Sequence, residues 1–460
     1  MKISYSNILE SALIPAYYRL RGRRYPHYRT LLERSQWWSP DQIQQFQWQE
    51  LKRLLAHAFR NVPYYKQKYS AAGIELGDIR TPQDFAKLPP LTRTEVNAHR
   101  LELCASEPPS RLLPHATGGS SGVPTRFFIT IDSYDWRCAA SDRAYSWSGH
   151  HLGEKTFYLW GAPVGKVPAF KSAKMKGYRL LRREVVVSTF SQTAELWQET
   201  LSAVLRFKPR FIVGYVSSLE EFARFIMTKR YALEGVQAVI AAAEPVYERT
   251  RELVTRAFSA PLFNAYGSRE FMSIAAECTQ HHGLHVNSEN ILVETELPSP
   301  ETPSEFLVTD LHNYGMPFIR YRIGDMGVMG RSTCPCGRGL PLLGSIEGRV
   351  LDMIRTRDGR VIPGEFFPHV LKDVCEICEF QVEQISLEEI VVSVVLSHPL
   401  SESSQTLLRD ETAKVFGNDV RITVKPVETI PRRASGKRSV TTGLRSSTSG
   451  TFDWTGTPGL

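Results

Sequence analysis

His115-Ala116-Thr117-Gly118-Gly119-Ser120-Ser121-Gly122-Val123-Pro124-Thr125-Arg126 is a loop of small residues that runs into an apolar, strand-prone segment, Phe127–Ile131. Its three glycines let the backbone approach a ligand closely. Its four hydroxyl side chains and its backbone N–H groups suit the oxygens of a polyphosphate. The loop lacks the Gly-Lys-Ser/Thr of a Walker motif, and no helix is implied after it. By itself it favours an ordinary turn, so its meaning depends on motifs further along the chain.

The 460-residue chain has the composition of a globular protein, with 42% hydrophobic and 23% charged residues, and its length allows two or three domains. No apolar run is long enough to span a bilayer. The start, Met1–Tyr5, does not resemble a signal peptide, so the sequence predicts a cytoplasmic protein without a transmembrane segment. Seven cysteines in a long chain of this kind predict reduced thiols or metal ligands rather than a disulfide framework.

The net charge of +8 comes from scattered basic residues, with local runs at Arg19–Arg24 and Arg432-Arg433. A nucleic-acid-binding protein would concentrate its charge in a stripe, so we expect no nucleic-acid partner. Tyrosines flank the first basic run, and such a segment is compatible with phosphates or a membrane surface. A solvated helix face with snorkelling arginines is the preferred interpretation.

Hydrophobic periodicity divides the chain into regions. Residues 1–90 are predicted to be helical, since Asp41–Phe59 has apolar residues at helical spacing and Pro63 then stops the helix. Strands and helices alternate from about 127 to 345, which indicates α/β layering, and residues 91–348 are predicted to form a large α/β domain. There, the spacing of Ser218 and Glu221 predicts a capping box that opens a helix over Leu219–Lys229. Residues 349–445 are predicted to form a separate small domain after a hinge near Arg349, and residues 446–460 a loose tail.

Four further motifs accompany the glycine loop. They are Asn264–Glu270, Tyr321–Gly327, Gly348–Ile354 and Ile430–Lys437. The first places an aromatic ring, a turn glycine, a hydroxyl and a carboxylate together after a short apolar strand. The second holds an aspartate in a Gly-flanked turn, and the last presents a lysine on a flexible loop. Taken singly, each favours an ordinary turn or surface loop.

In this order and spacing the five motifs resemble the adenylate-forming superfamily of acyl- and aryl-CoA ligases. The resemblance is to its phenylacetate–CoA ligase and CapK-like branch, which includes the coenzyme F390 synthetases. It runs from about Leu51 to Lys437 and includes the segments Asn61–Tyr65 and Leu88–Thr92. The resemblance implies an α/β fold with a large N-terminal adenylate-forming domain of layered sheets and helices, plus a small mobile α+β C-terminal domain.

The resemblance also implies where the nucleotide binds. The loop that would wrap the β- and γ-phosphates of ATP consists of Thr117, Gly118, Gly119, Ser120, Ser121 and Gly122. Ala242, Ala243 and Glu244 would line the adenine slot, with Tyr266 stacked on the ring. Gly267 is a further nucleotide-binding residue by the same resemblance.

The catalytic groups follow by the same resemblance. Ser268 would lie near the α-phosphate, Glu270 would hold Mg²⁺, and Asp325 would bind the ribose hydroxyls. Arg349 would sit at the hinge near the nucleotide, and Lys437 would bridge the α-phosphate and the substrate carboxylate. Because carboxylate attack on phosphorus joins two anions, a metal and a lysine must offset the charge.

The chain departs from the pattern in three places. Val123 stands where many relatives have lysine, Ser304-Glu305 where a Gly-Glu pair is usual, and Arg269 where a small or polar residue is usual. These differences bear on rate and substrate more than on fold.

A second constellation predicts a structural zinc ion. Cys334 and Cys336 lie one residue apart, so both thiolates can face one side of a turn. Cys278 would be the third ligand. His285 is the preferred fourth ligand, because some members of this branch have Cys and Gly-Leu-His at places that look similar, and His281 and His282 are the alternatives.

The sequence thus predicts an AMP-forming ligase that activates a small carboxylic acid with ATP and passes the acyl group to a thiol, for which CoA is the first choice. A carrier protein, an amine or a hydroxyl acceptor, as in an adenylyl transferase of the F390 type, stays open. A homodimer is compatible with these features. Two alternative interpretations come from other classes of protein: a basic nucleic-acid-binding protein with a zinc element, and a non-catalytic nucleotide-binding protein. The scattered charge disfavours the first. The presence of Glu270, Asp325 and Lys437 disfavours the second.

Overall fold

A computed structural model describes residues 4–117, 125–161, 169–189, 193–244, 246–295, 304–330, 333–346, 354–356, 361–362, 366–371, 374–417, 420–430 and 441–442. The chain divides into two compact units, a larger one that ends at Val350 and a smaller one that consists mainly of the residues from Leu351 onward. Seven of the predicted functional residues lie outside the described residues: Gly118, Gly119, Ser120, Ser121, Gly122, Arg349 and Lys437.

The first part of the larger unit is helical. Its helices are α1 (Tyr5–Ile8), α2 (Ile14–Leu20), α3 (Tyr25–Ser35), α4 (Pro40–Asn61), α5 (Pro63–Ala71), α6 (Pro82–Phe85) and α7 (Arg93–Ala98), with a π-helical turn at Leu9–Leu13 and a 3₁₀ turn at Leu76–Asp78. Ser39 and Gln42 cap α4 reciprocally, side chain to backbone N–H in both directions. Pro63 follows the end of α4, as predicted, and also begins α5, where its missing N–H costs no hydrogen bond.

The rest of the larger unit is built on strands. The strands are β1 (Leu112–Ala116), β2 (Arg126–Thr130), β3 (Thr156–Trp160), β4 (Glu184–Ser188), β5 (Phe211–Tyr215), β6 (Ala238–Ala242), β7 (Leu262–Ser268), β8 (Met272–Glu277), β9 (Leu284–Val286), β10 (Ile291–Thr295), β11 (Ser304–Asp310), β12 (Tyr321–Met329) and β13 (Leu342–Ile346). The helices between them are α8 (Ile131–Ser146), α9 (Ala169–Arg182), α10 (Ala194–Phe207), α11 (Val216–Thr228) and α12 (Glu248–Phe258). In the described residues, β1 and β2 pair with each other and precede α8, so the glycine loop connects two antiparallel strands.

The other strands form one sheet of 11 strands in the order β10-β11-β12-β13-β9-β8-β7-β6-β5-β3-β4. The neighbours from β4 to β7 are parallel, and the remaining neighbours are antiparallel. β5 and β6 are buried along their whole length. One face, with Ile212 and Val239, packs against α10–α12, and the other, with Val213 and Ile240, packs towards Ala144 and Trp147 at the end of α8. Cover on both faces explains why these strands are continuously apolar.

The predicted capping box at Ser218 and Glu221 is wrong. α11 begins at Val216, directly after β5, and the Ser218 hydroxyl donates to Thr189 Oγ1 at 2.8 Å. The N-terminus of α11 is instead met by the carboxylate of Glu244, which accepts from Ser217 N–H at 2.6 Å and from the Ser217 hydroxyl at 3.0 Å. A carboxylate contributed by the chain after the neighbouring strand therefore replaces a local cap and complements the helix dipole.

The smaller unit has its own sheet. Its elements are β14 (Ile354–Arg355), β15 (Val361–Ile362), α13 (Phe366–Leu371), β16 (Ile377–Ser386), β17 (Glu389–Leu396), α14 (Glu402–Phe416), β18 (Arg421–Pro426) and β19 (Thr441–Thr442). The order of the four-stranded sheet is β18-β17-β16-β19. Phe366, Phe367 and Phe416 pack together between α13 and α14. Nowhere in the described ranges is there a helix long and apolar enough to cross a bilayer.

Candidate functional site

Two predicted nucleotide-binding residues meet in the larger unit. The hydroxyl of Tyr266, in β7, donates to Asp325 Oδ2, in β12, at 3.0 Å. Gly324 has a φ of +83°, which glycine adopts without strain. The pairing of β11 with β12 shifts register beside it, so Asp325 lies at a bulge. The predicted aromatic ring and the predicted ribose acceptor are thus brought to one place, and both side chains are half-buried.

Glu270 lies near this pair and is only 4% exposed. Tyr321, the first residue of β12, donates its hydroxyl to Glu270 Oε1 at 3.4 Å, and the Arg93 guanidinium lies 3.7 Å from the same oxygen. Arg93 Nε also donates to the Tyr321 hydroxyl at 3.5 Å. The neighbouring tyrosine and acidic groups, Asp325 among them, raise the pKa of Arg93 against the opposing effect of burial. A buried carboxylate and a permanent cation therefore stand side by side, which suits a bound metal–phosphate group.

Arg93 and Tyr321 were not assigned roles by the sequence, although both adjoin motifs that were noticed. Arg93 follows the Leu88–Thr92 segment, which lies beside β12. Leu91 N–H donates to Arg320 O at 3.0 Å, and Arg322 N–H donates to Leu91 O at 2.9 Å. This bridge carries α7 and its first residue, Arg93, to Glu270.

Glu95 stabilises the start of α7. Its carboxylate accepts from Thr92 N–H and from the Thr92 hydroxyl, both at 2.7 Å, while Thr92 Oγ1 accepts from Glu95 N–H. Lys68 Nζ donates to Glu95 Oε1 at 2.6 Å. Burial alone would raise the pKa of Glu95, but hydrogen bonds from Lys68, Tyr64 and Thr92 outweigh it and lower the pKa from 4.5 to about 2.

Replacing Glu95 with glutamine should therefore lower the free energy of unfolding at pH 7 by about 1–2 kcal/mol. The folded-state pKa lies below the unfolded value, so the carboxylate stabilises the fold above pH 4.5 and loses this effect as the pH falls towards 2. Urea titrations of both proteins between pH 7 and about pH 2.5 should show a difference that is nearly constant above about pH 5 and shrinks below it. Glu102→Gln, which changes an exposed carboxylate 3.2 Å from His99, is the control. A difference independent of pH would contradict this account.

The predicted adenine slot occupies the end of β6. Ala243 has a φ of +71°, an uncommon backbone conformation for a residue with a side chain, and strain of this kind is frequent at ligand sites. The carboxylate of Glu244 is engaged with Ser217. Burial raises the pKa of Glu244 against the opposing effect of those hydrogen bonds. Because its carboxylate is already engaged, Glu244 could contact a bound base only through its backbone and its side-chain methylene groups.

Three other predicted residues have local roles. A Cβ at Gly267 would lie 2.1 Å from Met272 O, so only glycine fits this turn. Ser268 Oγ accepts from Phe271 N–H at 3.3 Å. Thr117 closes the base of the glycine loop, since its N–H donates to Thr125 O and its Oγ1 accepts from Thr125 N–H, both at 2.9 Å.

The predicted zinc ligands form a second cluster. Ligand atoms of Cys278, His285, Cys334 and Cys336 all lie within 4.8 Å of one another. Cys278 follows β8, His285 lies in β9, and the Cys-Pro-Cys turn lies between β12 and β13. β9 pairs with β13, which brings these distant segments together. His281 lies outside the cluster, because its Nδ1 is 3.1 Å from Glu277 Oε2, and His282 is not among the clustered residues.

The spacing of the cluster fits a tetrahedral metal ion. The Sγ atoms of Cys278 and Cys334 are 3.6 Å apart, and Cys336 Sγ is 3.3 Å from His285 Nε2. Zinc–sulfur bonds of about 2.3 Å place two tetrahedral sulfurs about 3.8 Å apart, whereas a disulfide needs about 2.05 Å. Burial, with the nearby charge of Arg338, lowers the pKa of His285 to about 4, so its imidazole is neutral at neutral pH. Three thiols and one neutral imidazole are a donor set that zinc accepts.

A cavity of about 670 Å³ lies elsewhere in the larger unit, and none of the predicted site residues lines it. Its wall includes three arginines and three acids: Arg21, Arg23, Arg24, Glu107, Asp132 and Asp135. Arg23 and Asp135 are paired at 2.6 Å, so the charges of the wall largely offset one another. It gives no indication of a particular ligand.

Comparison with known proteins places the fold. The structure of a 2-hydroxyisobutyryl-CoA ligase, in complex with 2-HIB-AMP and CoA in the thioesterification state, aligns with a TM-score of 0.58 over 88% of this chain and 90% of that one, at 19% identity. The same ligase in its postadenylation state aligns with a TM-score of 0.55 over 86% and 88%. The chain therefore has the fold of the adenylate-forming ligases, and the predicted α/β class with a small C-terminal domain is confirmed.

Sequence comparison then identifies the relatives. The chain is 24% identical to a phenylacetate-coenzyme A ligase of Thermus thermophilus over 86% of its own length and 95% of the relative's. The corresponding values for a phenylacetate-coenzyme A ligase of Escherichia coli are 26%, 82% and 87%, and those for protein CapK of Staphylococcus aureus are 21%, 78% and 80%. Residues 354–442 match the family model of the CapK C-terminal domain. The predicted resemblance to the phenylacetate–CoA ligase and CapK-like branch is confirmed.

Proposed function

We propose that this protein is an AMP-forming ligase that activates a carboxylic acid with ATP and transfers the acyl group to the thiol of CoA. The observation that carries the proposal is the meeting of Tyr266, Glu270 and Asp325 beside Arg93, within an adenylate-forming fold. Phenylacetate–CoA ligases among the homologues support the same reaction class. The solved neighbour that contains an acyl-AMP and CoA supports the acid and the acceptor.

Each side chain has a role that its surroundings allow. Asp325 would accept hydrogen bonds from the ribose hydroxyls, and Tyr266, already bonded to it, would pack on the base. Glu270 would hold Mg²⁺, which neutralises phosphate charge and orients the leaving pyrophosphate. Arg93 would add a second positive charge at the same phosphates. Expulsion of pyrophosphate then leaves the acyl-AMP bound to this set.

The groups outside the described residues complete the proposed reaction. The glycine loop, Thr117–Gly122, would hold the β- and γ-phosphates through backbone N–H groups. Lys437 would reduce the repulsion between the carboxylate and the α-phosphate, and Arg349 would stand at the hinge. The smaller unit would then reorient so that the acceptor thiol reaches the acyl carbon. ATP and CoA are cytoplasmic metabolites, so we place the protein in the cytoplasm.

The decisive assay is pyrophosphate release from ATP with a panel of aryl and aliphatic acids, with and without CoA. Acid-dependent release together with CoA-dependent thioester formation supports the proposal. Acid-dependent release without a CoA thioester would point to a carrier protein, an amine or a hydroxyl as acceptor. Formation of a stable adenylylated hydroxyl compound would support the F390 synthetase-like alternative. Absence of acid-dependent release across the panel would refute the proposed chemistry.

Replacing Asp325 with asparagine should weaken nucleotide binding about 10- to 100-fold, because the ribose hydroxyls lose a charged acceptor worth about 1.5–3 kcal/mol. Calorimetric titration with ATP measures the change. Tyr266→Phe is the matched control, since it removes the hydroxyl that donates to Asp325 and keeps both the ring and the carboxylate. Wild-type affinity in the Asp325 variant would exclude this residue from the ribose site.

We further propose that Cys278, His285, Cys334 and Cys336 hold one structural Zn²⁺. Four protein ligands leave no open coordination position, and the thiolates would be neutralised by the ion and by nearby Arg338. The Arg338 side chain is fixed by Gln36, which accepts from its Nε at 2.9 Å, and its guanidinium lies over Trp37. The ion would therefore tie the Cys-Pro-Cys turn to the sheet rather than take part in catalysis.

A further inference from the structure

The N-terminal helical segment, Tyr5–Leu20, has two apolar sides. One side is buried within the larger unit and consists of Leu9, Ile14 and Tyr18, together with Ser6, whose hydroxyl donates to Leu152 O at 2.8 Å. The step from Leu9 to Ile14 is five residues, and the π-helical turn at Leu9–Leu13 keeps both on the same side. The other side is exposed and consists of Tyr5 (37%), Ile8 (42%), Leu13 (46%), Tyr17 (39%) and Leu20 (89%). Five large apolar side chains on so short a segment are more than scattered exposure explains.

A second exposed apolar group adjoins the first at the end of α9. It consists of Tyr178 (38%), Leu180 (80%) and Leu181 (38%). The Tyr5 hydroxyl donates to Leu181 O at 2.6 Å, and the guanidinium of Arg183 lies 5.4 Å from the centre of the Tyr5 ring. The two groups are therefore neighbours, and together they form what we call the basic apolar surface.

The sequence around both groups is rich in basic residues. Residues 5–32 include Arg19, Arg21, Arg23, Arg24 and Arg29 and one acid, Glu10, whose carboxylate accepts from Leu152 N–H and lies 3.2 Å from His151 Nδ1. Residues 161–183 include Lys166, Lys171, Lys174, Lys176, Arg179, Arg182 and Arg183, with no Asp or Glu. Arg23, Arg29 and Arg182 pair with acids from other segments. Arg19, Arg21, Lys174 and Lys176 are exposed, and Arg21 lies 4.7 Å from the centre of the exposed Tyr17 ring.

We propose that the basic apolar surface docks on an anionic lipid bilayer. Leucine, isoleucine and tyrosine side chains can enter the interfacial layer, while lysine and arginine heads reach the phosphates beside it. Anionic lipids supply negative charge that complements the exposed basic side chains of these two segments. Each basic residue near the membrane surface adds to the attraction. A second copy of the chain would instead bring like charges together.

Vesicle co-sedimentation tests the proposal with the full-length protein. We expect binding to vesicles of phosphatidylcholine with phosphatidylglycerol, and much weaker binding to phosphatidylcholine alone. Raising the salt from about 0.1 M to about 1 M should weaken the binding, since the screening length falls from about 10 Å to about 3 Å. The double variant Leu20→Ser with Leu180→Ser should lower the partition coefficient about tenfold or more. The triple variant Arg21→Gln, Lys174→Gln and Lys176→Gln should lower it at least as much.

Matched controls distinguish binding through the basic apolar surface from binding through any exposed apolar or basic side chain. Leu101 is 72% exposed outside the surface, so Leu101→Ser should bind like the wild type, as should Lys229→Gln. Unchanged melting temperatures would show that all variants fold, as expected for exposed positions. No binding to anionic vesicles, equal binding to neutral vesicles, or wild-type binding by the leucine variant would refute the proposal. So would a lipid-free dimer in sedimentation velocity that the leucine substitutions dissociate, because the surface would then be a contact between copies.

Discussion

Replacing both Cys334 and Cys336 with serine should release one zinc ion per chain. It should also lower the free energy of unfolding by about 3 kcal/mol or more. The two thiols would attach the metal to the Cys-Pro-Cys turn, which is separated in sequence from Cys278 and His285 by about fifty residues. Cys278 and Cys334 also belong to the core beneath β5 and β6. Without the ion, two polar hydroxyls and an unliganded imidazole would remain in that core.

Metal analysis of protein purified without chelator, followed by denaturant unfolding, measures both effects. Cys104→Ser is the matched control, because this half-buried thiol donates to Arg100 O and is remote in sequence from the cluster. The double variant should lose much of its stability, but the protein that remains folded should adenylate the substrate at a rate close to that of the wild type. Wild-type protein without about one zinc per chain would overturn the assignment.

Replacing Glu270 with glutamine should reduce the rate of acyl-AMP formation about 10²- to 10³-fold. The amide is nearly the same size and can still accept from the Tyr321 hydroxyl, so the local packing survives. It carries no charge, however, and Mg²⁺ strongly prefers a carboxylate oxygen. The residue is only 4% exposed, so a water molecule cannot readily take the place of the missing carboxylate as a ligand.

The dependence on Mg²⁺ separates a metal ligand from a residue that only positions Arg93. A lost ligand should raise the Mg²⁺ concentration needed for half-maximal pyrophosphate release, whereas a positioning role should leave that concentration unchanged. Glu154→Gln, which alters an ion pair with Arg210, should behave like the wild type. An unaltered Mg²⁺ dependence in the Glu270 variant would therefore remove this carboxylate from the metal site, whatever the loss of rate.

The sequence by itself determined the fold class and indicated the candidate site motifs. The periodicity of residues 41–59 gave α4 nearly to its ends, and the continuously apolar stretches at Phe211–Tyr215 and Val239-Ile240 lie in buried parallel strands. Gly267 was recognised as a turn glycine, and no other residue fits there. These features are set by short-range forces, namely side-chain spacing, steric limits on φ and the missing N–H of proline, which a linear pattern records directly.

Only the tertiary structure decided which distant residues meet. Arg93 reaches Glu270 because Leu91 pairs with Tyr321, a contact between segments more than two hundred residues apart. His285 rather than His281 joins the cysteines because β9 pairs with β13, while Glu277 engages His281. α11 begins before the predicted cap, at Val216, and Glu244, which follows β6, accepts the hydrogen bond from Ser217 N–H in its first turn. In each case the local sequence allows more than one contact partner, and burial and strand pairing decide which partner is found in the fold.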